Sequence, residues 1–261
     1  MVFYLSGTGN TQWAAQELSA ATGERLVRIP EVLDGDCRFT LGENERIGIC
    51  FPVHGWRPPL LVRQFIAKLH IENADGHYCY ALCTAGDNIG ETFNILERDL
   101  ANVGLCLDSR CSLIMPESYV GLPFMDVDSP AKEYAKKAAA AKQLESYTQH
   151  VLERKKTDGP IVRGRWPRIN SRLIGSYFVN HLVTDKSFQV DDARCIKCGI
   201  CFKVCPVGNI DGGKDRLPQW RHNGRCLTCF ACYHHCPKQA IAFGSRTKGK
   251  GQYYFVKPSN K

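Results

Sequence analysis

The chain has 261 residues, is 44% hydrophobic and 23% charged, and carries a formal net charge of +8. That length and apolar content suffice for one large packed domain or two modest ones, so the chain is read as globular. No stretch approaches the roughly 18 apolar residues of a membrane span, and Val2-Phe3-Tyr4-Leu5 follows the first residue without a basic leader, so neither insertion nor export is expected and the cytoplasm is.

In chain order, short apolar runs at Val2-Leu5, Leu26-Ile29, Ile47-Phe51, Tyr78-Cys83 and Leu113-Met115 predict strands. Helix-period segments at Thr11-Ala21, Leu60-Leu69 and Ile89-Val103 lie between most of them. Alternating strand and helix implies an α/β domain with a doubly wound parallel sheet, which binds ligands at the carboxyl ends of its strands where their order reverses. Between the first strand and helix, Ser6-Gly7-Thr8-Gly9-Asn10-Thr11 holds only small and hydroxyl or amide residues. Free amides at a helix N-terminus suit an anion, although a turn with a helix cap at Asn10 or Thr11 accounts for one or two such residues.

A long helix is expected from Ser129 to Lys156, capped by Ser129, started by Pro130 and ended by Thr157-Asp158-Gly159-Pro160. Residues 158–190 read as an irregular basic linker with Arg163, Arg165, Arg168 and Arg172, packing on one or both domains. Residues 1–157 carry a net charge of −4 and residues 158–261 a net charge of +12. The second half's excess suits either nucleic acid or an anionic cofactor.

Eight of the fourteen cysteines lie between Cys195 and Cys236. Without an export signal they argue for metal rather than disulfides. "CIKCGICFKVCP" at Cys195 to Pro206 recurs as "CLTCFACYHHCP" at Cys226 to Pro237. CxxC pairs also suit zinc, but zinc wants four ligands in two pairs, whereas each copy is a run of three plus one followed by proline. The remaining six, Cys37, Cys50, Cys79, Cys83, Cys106 and Cys111, are expected to be small buried hydrophobes. The cysteine module spans 191–246 and a basic tail 247–261, taken as a solvated end.

The two runs resemble those of bacterial two-cluster ferredoxins, in which the fourth cysteine of a run serves the other cluster. The resemblance implies a small α+β domain with two 4Fe-4S clusters, one held by Cys195, Cys198, Cys201 and Cys236, the other by Cys226, Cys229, Cys232 and Cys205. Lys197, Lys203 and Arg225 stand near to temper the cluster charge. "SGTGNT" resembles the flavodoxin phosphate loop, Ser/Thr-x-Thr-Gly-x-Thr, which implies a flavodoxin-like five-stranded sheet over residues 1–157 and flavin mononucleotide (FMN) bound by Ser6, Gly7, Thr8, Gly9, Asn10 and Thr11. The further flavin loops would be Pro52, Val53, His54, Gly55 and Trp56, and Thr84, Ala85, Gly86 and Asp87. On that resemblance Gly55 faces the flavin N5 and Trp56 lies on the ring. The second loop departs from the pattern in lacking a stacking tyrosine, for which Tyr119 or Phe124 substitutes.

Together the halves resemble a fusion family, found mainly in anaerobes, that joins a flavodoxin-like domain to a two-cluster ferredoxin domain. The function implied is electron relay between FMN and the clusters and on to redox partner proteins. In this reading the flavin edge near Trp56 and Asp87 faces the cluster module or a partner, and the linker's arginines meet the acidic first domain. A flavin-dependent reductase of a small molecule or quinone, with His54 or Asp87 as acid or base, is the second reading. An iron-sulfur redox sensor whose basic tail binds nucleic acid is the third.

Overall fold

The structure, a computed structural model, describes residues 1–256. Lys257 and the four residues after it, part of the expected basic tail, lie outside the described residues. Strands β1 (Val2–Tyr4), β2 (Leu26–Arg28), β3 (Ile47–Pro52), β4 (Cys79–Ala85) and β5 (Ser109–Ile114) form one parallel sheet in the order β2-β1-β3-β4-β5. Helices α1 (Asn10–Thr22), α2 (Leu60–Lys68), α3 (Thr92–Ala101) and α4 (Pro130–Leu152) cover both of its faces. The strand period of two explains the split. Val2, Tyr4, Cys50, Tyr80, Leu82 and Leu113 pack with Ala14 and Leu18 of α1 and Ala140, Leu144 and Tyr147 of α4. Phe3, Leu5, Ile49, Phe51, Ala81 and Cys83 pack with Phe65 of α2 and Leu96 of α3. All seven residues of β4 are buried, as a central parallel strand requires.

Strand β5 begins four residues before its apolar run because polar partners satisfy its first half. Buried Ser109 donates to the Thr157 carbonyl at 2.7 Å, and Arg110 to the Asp158 carboxylate. The chain after α4 then seals this edge strand: the Gly159 amide donates to the Arg110 carbonyl at 2.8 Å and Ser112 N to the Pro160 carbonyl at 3.0 Å. Five of the six scattered cysteines are buried, whereas Cys106 is exposed and corrects the expectation for that residue.

Residues 167–182, which the sequence leaves as irregular linker, form one helix, α5, in which α-helical turns alternate with π-helical stretches at Asn170–Ile174 and Phe178–Leu182. The cysteine module follows. Its strands β6 (Phe188–Val190) and β9 (Ile241–Phe243) pair antiparallel, as do β7 (Ile210–Asp211) and β8 (Gln219–Trp220), and two short helices, α6 (Ile200–Val204) and α7 (Ala231–His234), complete it. Phe188, Ile210, Phe230, Ile241 and Phe243 make its core, joined by Val120 from the loop after β5. In exchange, Val207 and Leu227 of the module enter the core of the sheet domain.

The described part of the tail is no solvated end. Lys250 Nζ donates to the Val120 carbonyl at 3.0 Å, Gln252 Nε2 to the Cys236 carbonyl at 2.9 Å, and Phe255 N to the Thr8 carbonyl at 2.7 Å. The tail therefore straps the module to the loop after β1.

Candidate metal centres

The repeat persists in the backbone. Lys197 and Thr228, at equivalent positions, both have left-handed φ (54° and 49°), as do Gly199 and Phe230 (75° and 58°). Three of these four are not glycine, and such conformations are uncommon for side-chain-bearing residues and concentrate at functional sites. The two turns swing the first two cysteines of each run toward the third, which α6 or α7 carries. The fourth, placed after its helix, leaves its own group. Cys195, Cys198, Cys201 and Cys236 line one cavity, and Cys205, Cys226, Cys229 and Cys232 line the other.

Backbone amides point at the sulfurs in matching positions. Asn209 N donates to Cys205 Sγ at 3.2 Å, and its counterpart Ala240 N to Cys236 Sγ at 3.3 Å; Thr228 N also donates to Cys226 Sγ, at 3.3 Å. Such bonds favour the thiolate, but burial pushes the free thiols of Cys201 and Cys226 up to about 11 and Cys229 up to about 12. A metal core binding here therefore displaces protons. The cavities differ in setting. Lys197, Arg216 and Lys238 line the first, beside exposed Ile196, whereas Phe188, Trp220 and Phe230 of the module's own core line the second together with Leu227, which packs into the core of the sheet domain.

That second cavity meets the loop after β1. A Cβ built on Gly7 would lie 2.9 Å from Cys229 Cβ and 3.2 Å from Cys229 Sγ, so only glycine admits the module at this distance. The loop keeps the features of an anion cradle. Ser6 Oγ accepts from Gly9 N at 3.2 Å, Thr11 and Thr84 hydroxyls pair at 2.8 Å, and Thr8 Oγ1 donates to Ser118 Oγ at 3.3 Å. The amides of Thr8, Asn10 and Thr11 find no acceptor among the described residues. Outside the loop, Tyr253 donates to Asn10 Oδ1 at 2.6 Å, and Phe255 stacks on Trp13 at 5.1 Å.

The loops after β3 and β4 are closed over by α5. After Pro52 and Val53, His54 N bonds the Arg57 carbonyl at 2.9 Å across a turn in which Gly55 and Trp56 both have left-handed φ (55° and 57°). Ser171 of α5 is wedged between the two loops, accepting from Glu91 N at 2.7 Å and donating to the Trp56 carbonyl at 2.9 Å. Arg172 holds Glu91 at 2.7 Å. Against Gly55 lie Phe178 and Gly175: a Cβ on Gly55 would meet the Phe178 ring at 2.7 Å, and one on Gly175 the Gly55 carbonyl oxygen at 2.0 Å. Trp56 packs on Gly90 under the helix. Thr84 and Ala85 are buried as the last two residues of β4, Gly86 abuts Glu117, and Asp87 is exposed, accepting from Asn88 Nδ2 at 2.8 Å. Burial pushes the His54 imidazole down to about 4, so it is neutral at physiological pH.

These residues answer the two ends of FMN differently. The unpartnered amides of the β1 loop fit a phosphate. No room fits an isoalloxazine ring between the β3 and β4 loops, because Ser171, Gly175 and Phe178 fill it. Of the two aromatic substitutes, Phe124 is exposed, and Tyr119 packs edge-on between Phe178 and Phe230, at 5.3 Å from each. Sequence reasoning missed α5, whose signal is the helical spacing of Ile169, Leu173 and Tyr177, four apart; the inward Ser171 and Gly175 are small and carry none.

Compared with known families, residues 187–237 match the model of a 4Fe-4S dicluster domain. No curated protein and no solved structure matches the chain. The carboxyl-terminal part is thus similar to an iron-sulfur electron-transfer domain, set on an α/β domain with a five-stranded parallel sheet.

Proposed function

We propose that this protein is an electron carrier whose two 4Fe-4S clusters form a short wire, one at the surface and one against the sheet domain. Cys195, Cys198, Cys201 and Cys236 hold the outer cluster; Cys226, Cys229, Cys232 and Cys205 hold the inner one. The observation that carries this is the sorting of eight cysteines into two groups of three plus one, with the fourth member exchanged. The match of residues 187–237 to a 4Fe-4S dicluster domain favours clusters over zinc. When bound, the clusters supply one-electron chemistry. The chain's own part is to place them and to donate amides to the cysteine sulfurs that hold them.

Anaerobically purified protein is expected to contain about eight iron and eight acid-labile sulfide per chain, and Cys229→Ser about half of each. Zinc without sulfide would overturn the reading. In the sheet domain, the order β2-β1-β3-β4-β5 is that of flavodoxin-like folds and supports that resemblance. Its unpartnered amides favour a phosphate-bearing ligand at Ser6 to Thr11. FMN is the second reading, and it requires α5 to leave the ring crevice; flavin released in equimolar amount from the purified protein would favour it.

A further inference from the structure

Helix α5 is built inside out. Its inward face is Ser171, Gly175 and Phe178, two of them small, because they must fit against the Gly55 and Glu91 loops. Its outward face is large and apolar: Trp166 just before the helix, then Ile169, Leu173, Ile174 and Tyr177, at helical spacing. Leu173 is 68% exposed, Tyr177 60% and Trp166 56%. Isolated exposed apolar residues are ordinary, but an aligned ridge of five marks a surface that something covers.

Two features say what. From Gly159 to Thr184 the chain has four arginines and no carboxylate. Arg172 is paired with Glu91 and Arg163 bonded to Asn94, but Arg165 lies over the Trp166 ring at 5.3 Å and Arg168 has no ion pair among the described residues. The ridge therefore carries an unneutralised positive flank. Its side chains also project singly from a helix into solvent. A projecting ridge needs a groove already cut to its shape or a medium that yields, and a lipid headgroup layer yields. Aromatic and aliphatic residues on one face with arginines beside them are the pattern of a helix lying in a membrane interface. No described helix is long and apolar enough to cross a membrane, so the contact would be peripheral.

We propose that α5 docks this protein on an anionic lipid surface, with Trp166, Ile169, Leu173 and Tyr177 entering the headgroup layer and Arg165 and Arg168 meeting lipid phosphates. The inference does not depend on cluster content. The anaerobically purified full chain should co-sediment with vesicles of phosphatidylcholine and phosphatidylglycerol, and less with phosphatidylcholine alone. Leu173→Glu should lower that partition at least about tenfold, and R165E/R168E should narrow the difference between the two vesicles. Both variants lie outside the packed face, and unchanged iron content and circular dichroism check their folding; Leu173→Ala and Tyr177→Ala provide milder steps. Absence of wild-type binding to anionic vesicles, as expected if an acidic protein covers the ridge, would overturn the proposal. So would unaltered binding of Leu173→Glu, or a wild-type dimer that this variant dissolves.

Discussion

Gly7 decides how near the inner cavity comes to the sheet. Any side chain there must displace Cys229, whose Cβ and Sγ already sit within 3.2 Å of the position a Cβ would take. Overpacking of this kind costs about 1–3 kcal/mol, and the strain falls on a proposed cluster ligand. Gly7→Val is therefore expected to lose iron from the inner site first, leaving about half the wild-type iron, as measured by metal and sulfide assay after anaerobic purification. His54 makes a different contribution. Burial holds its imidazole near 4 against an ordinary value of 6.5, so the folded state prefers the neutral ring. Its stabilisation is complete above pH 6.5, falls as the unfolded chain takes up a proton below that, and is lost once the pH passes below about 4. The whole effect amounts to about 3 kcal/mol at most. His54→Gln should flatten the fall of denaturation midpoint between those pH values; an equally steep fall would show that His54 is not its source.

At the level of elements, α5 matters most, because one helix both closes the crevice at the carboxyl ends of β3 and β4 and presents the apolar ridge. Ser171, Gly175 and Phe178 stand at i, i+4 and i+7, the spacing that puts residues on one face of a helix. Ser171 is fully buried and serves a donor and an acceptor on two different loops. Ser171→Ala leaves the Glu91 amide and Trp56 carbonyl unpaired, at a cost of about 1–3 kcal/mol, seen as a lower denaturation midpoint and faster proteolysis between residues 159 and 166. Gly175→Leu acts more locally by forcing α5 away from the Gly55 carbonyl. If FMN can occupy the ring crevice once α5 has moved, this variant should bind added FMN more tightly than the wild type, read as quenching of flavin fluorescence. Equal affinity would count against a flavin site behind the helix.

Across the whole molecule, the charge difference between the halves suggests electrostatic docking, and the structure shows little of it. Arg172 does meet the sheet domain at Glu91, but among the described residues Arg225–Asp34, at 3.2 Å and exposed, is the one ion pair from the cysteine module to that domain. An exposed pair is worth roughly 0–1 kcal/mol and is screened by salt. Buried Val120, Val207 and Leu227 and the strap from Lys250 to Phe255 do the joining instead. Small-angle scattering should accordingly show the same compact particle at low and high salt, whereas truncation after Gly251 should expand it.

The cysteine runs, the glycine and threonine loop and the alternation of strand and helix were legible from residue order, because ligand spacing, turn chemistry and hydrophobic period are properties of a few consecutive residues. The resemblance also named the exchanged fourth cysteines, Cys205 and Cys236, but their approach to the opposite cavities comes from two pairings, β6 with β9 for Cys236 and β7 with β8 for Cys205. Where β5 begins, why residues 167–182 form a helix and how the tail bridges two domains depended on partners distant in sequence: Thr157 for Ser109, Gly55 for Gly175, Thr8 for Phe255. Small and polar residues carry no periodic signal of their own. Their conformation is set by the hydrogen bonds and close contacts that become available only after the sheet and the cysteine module have come together.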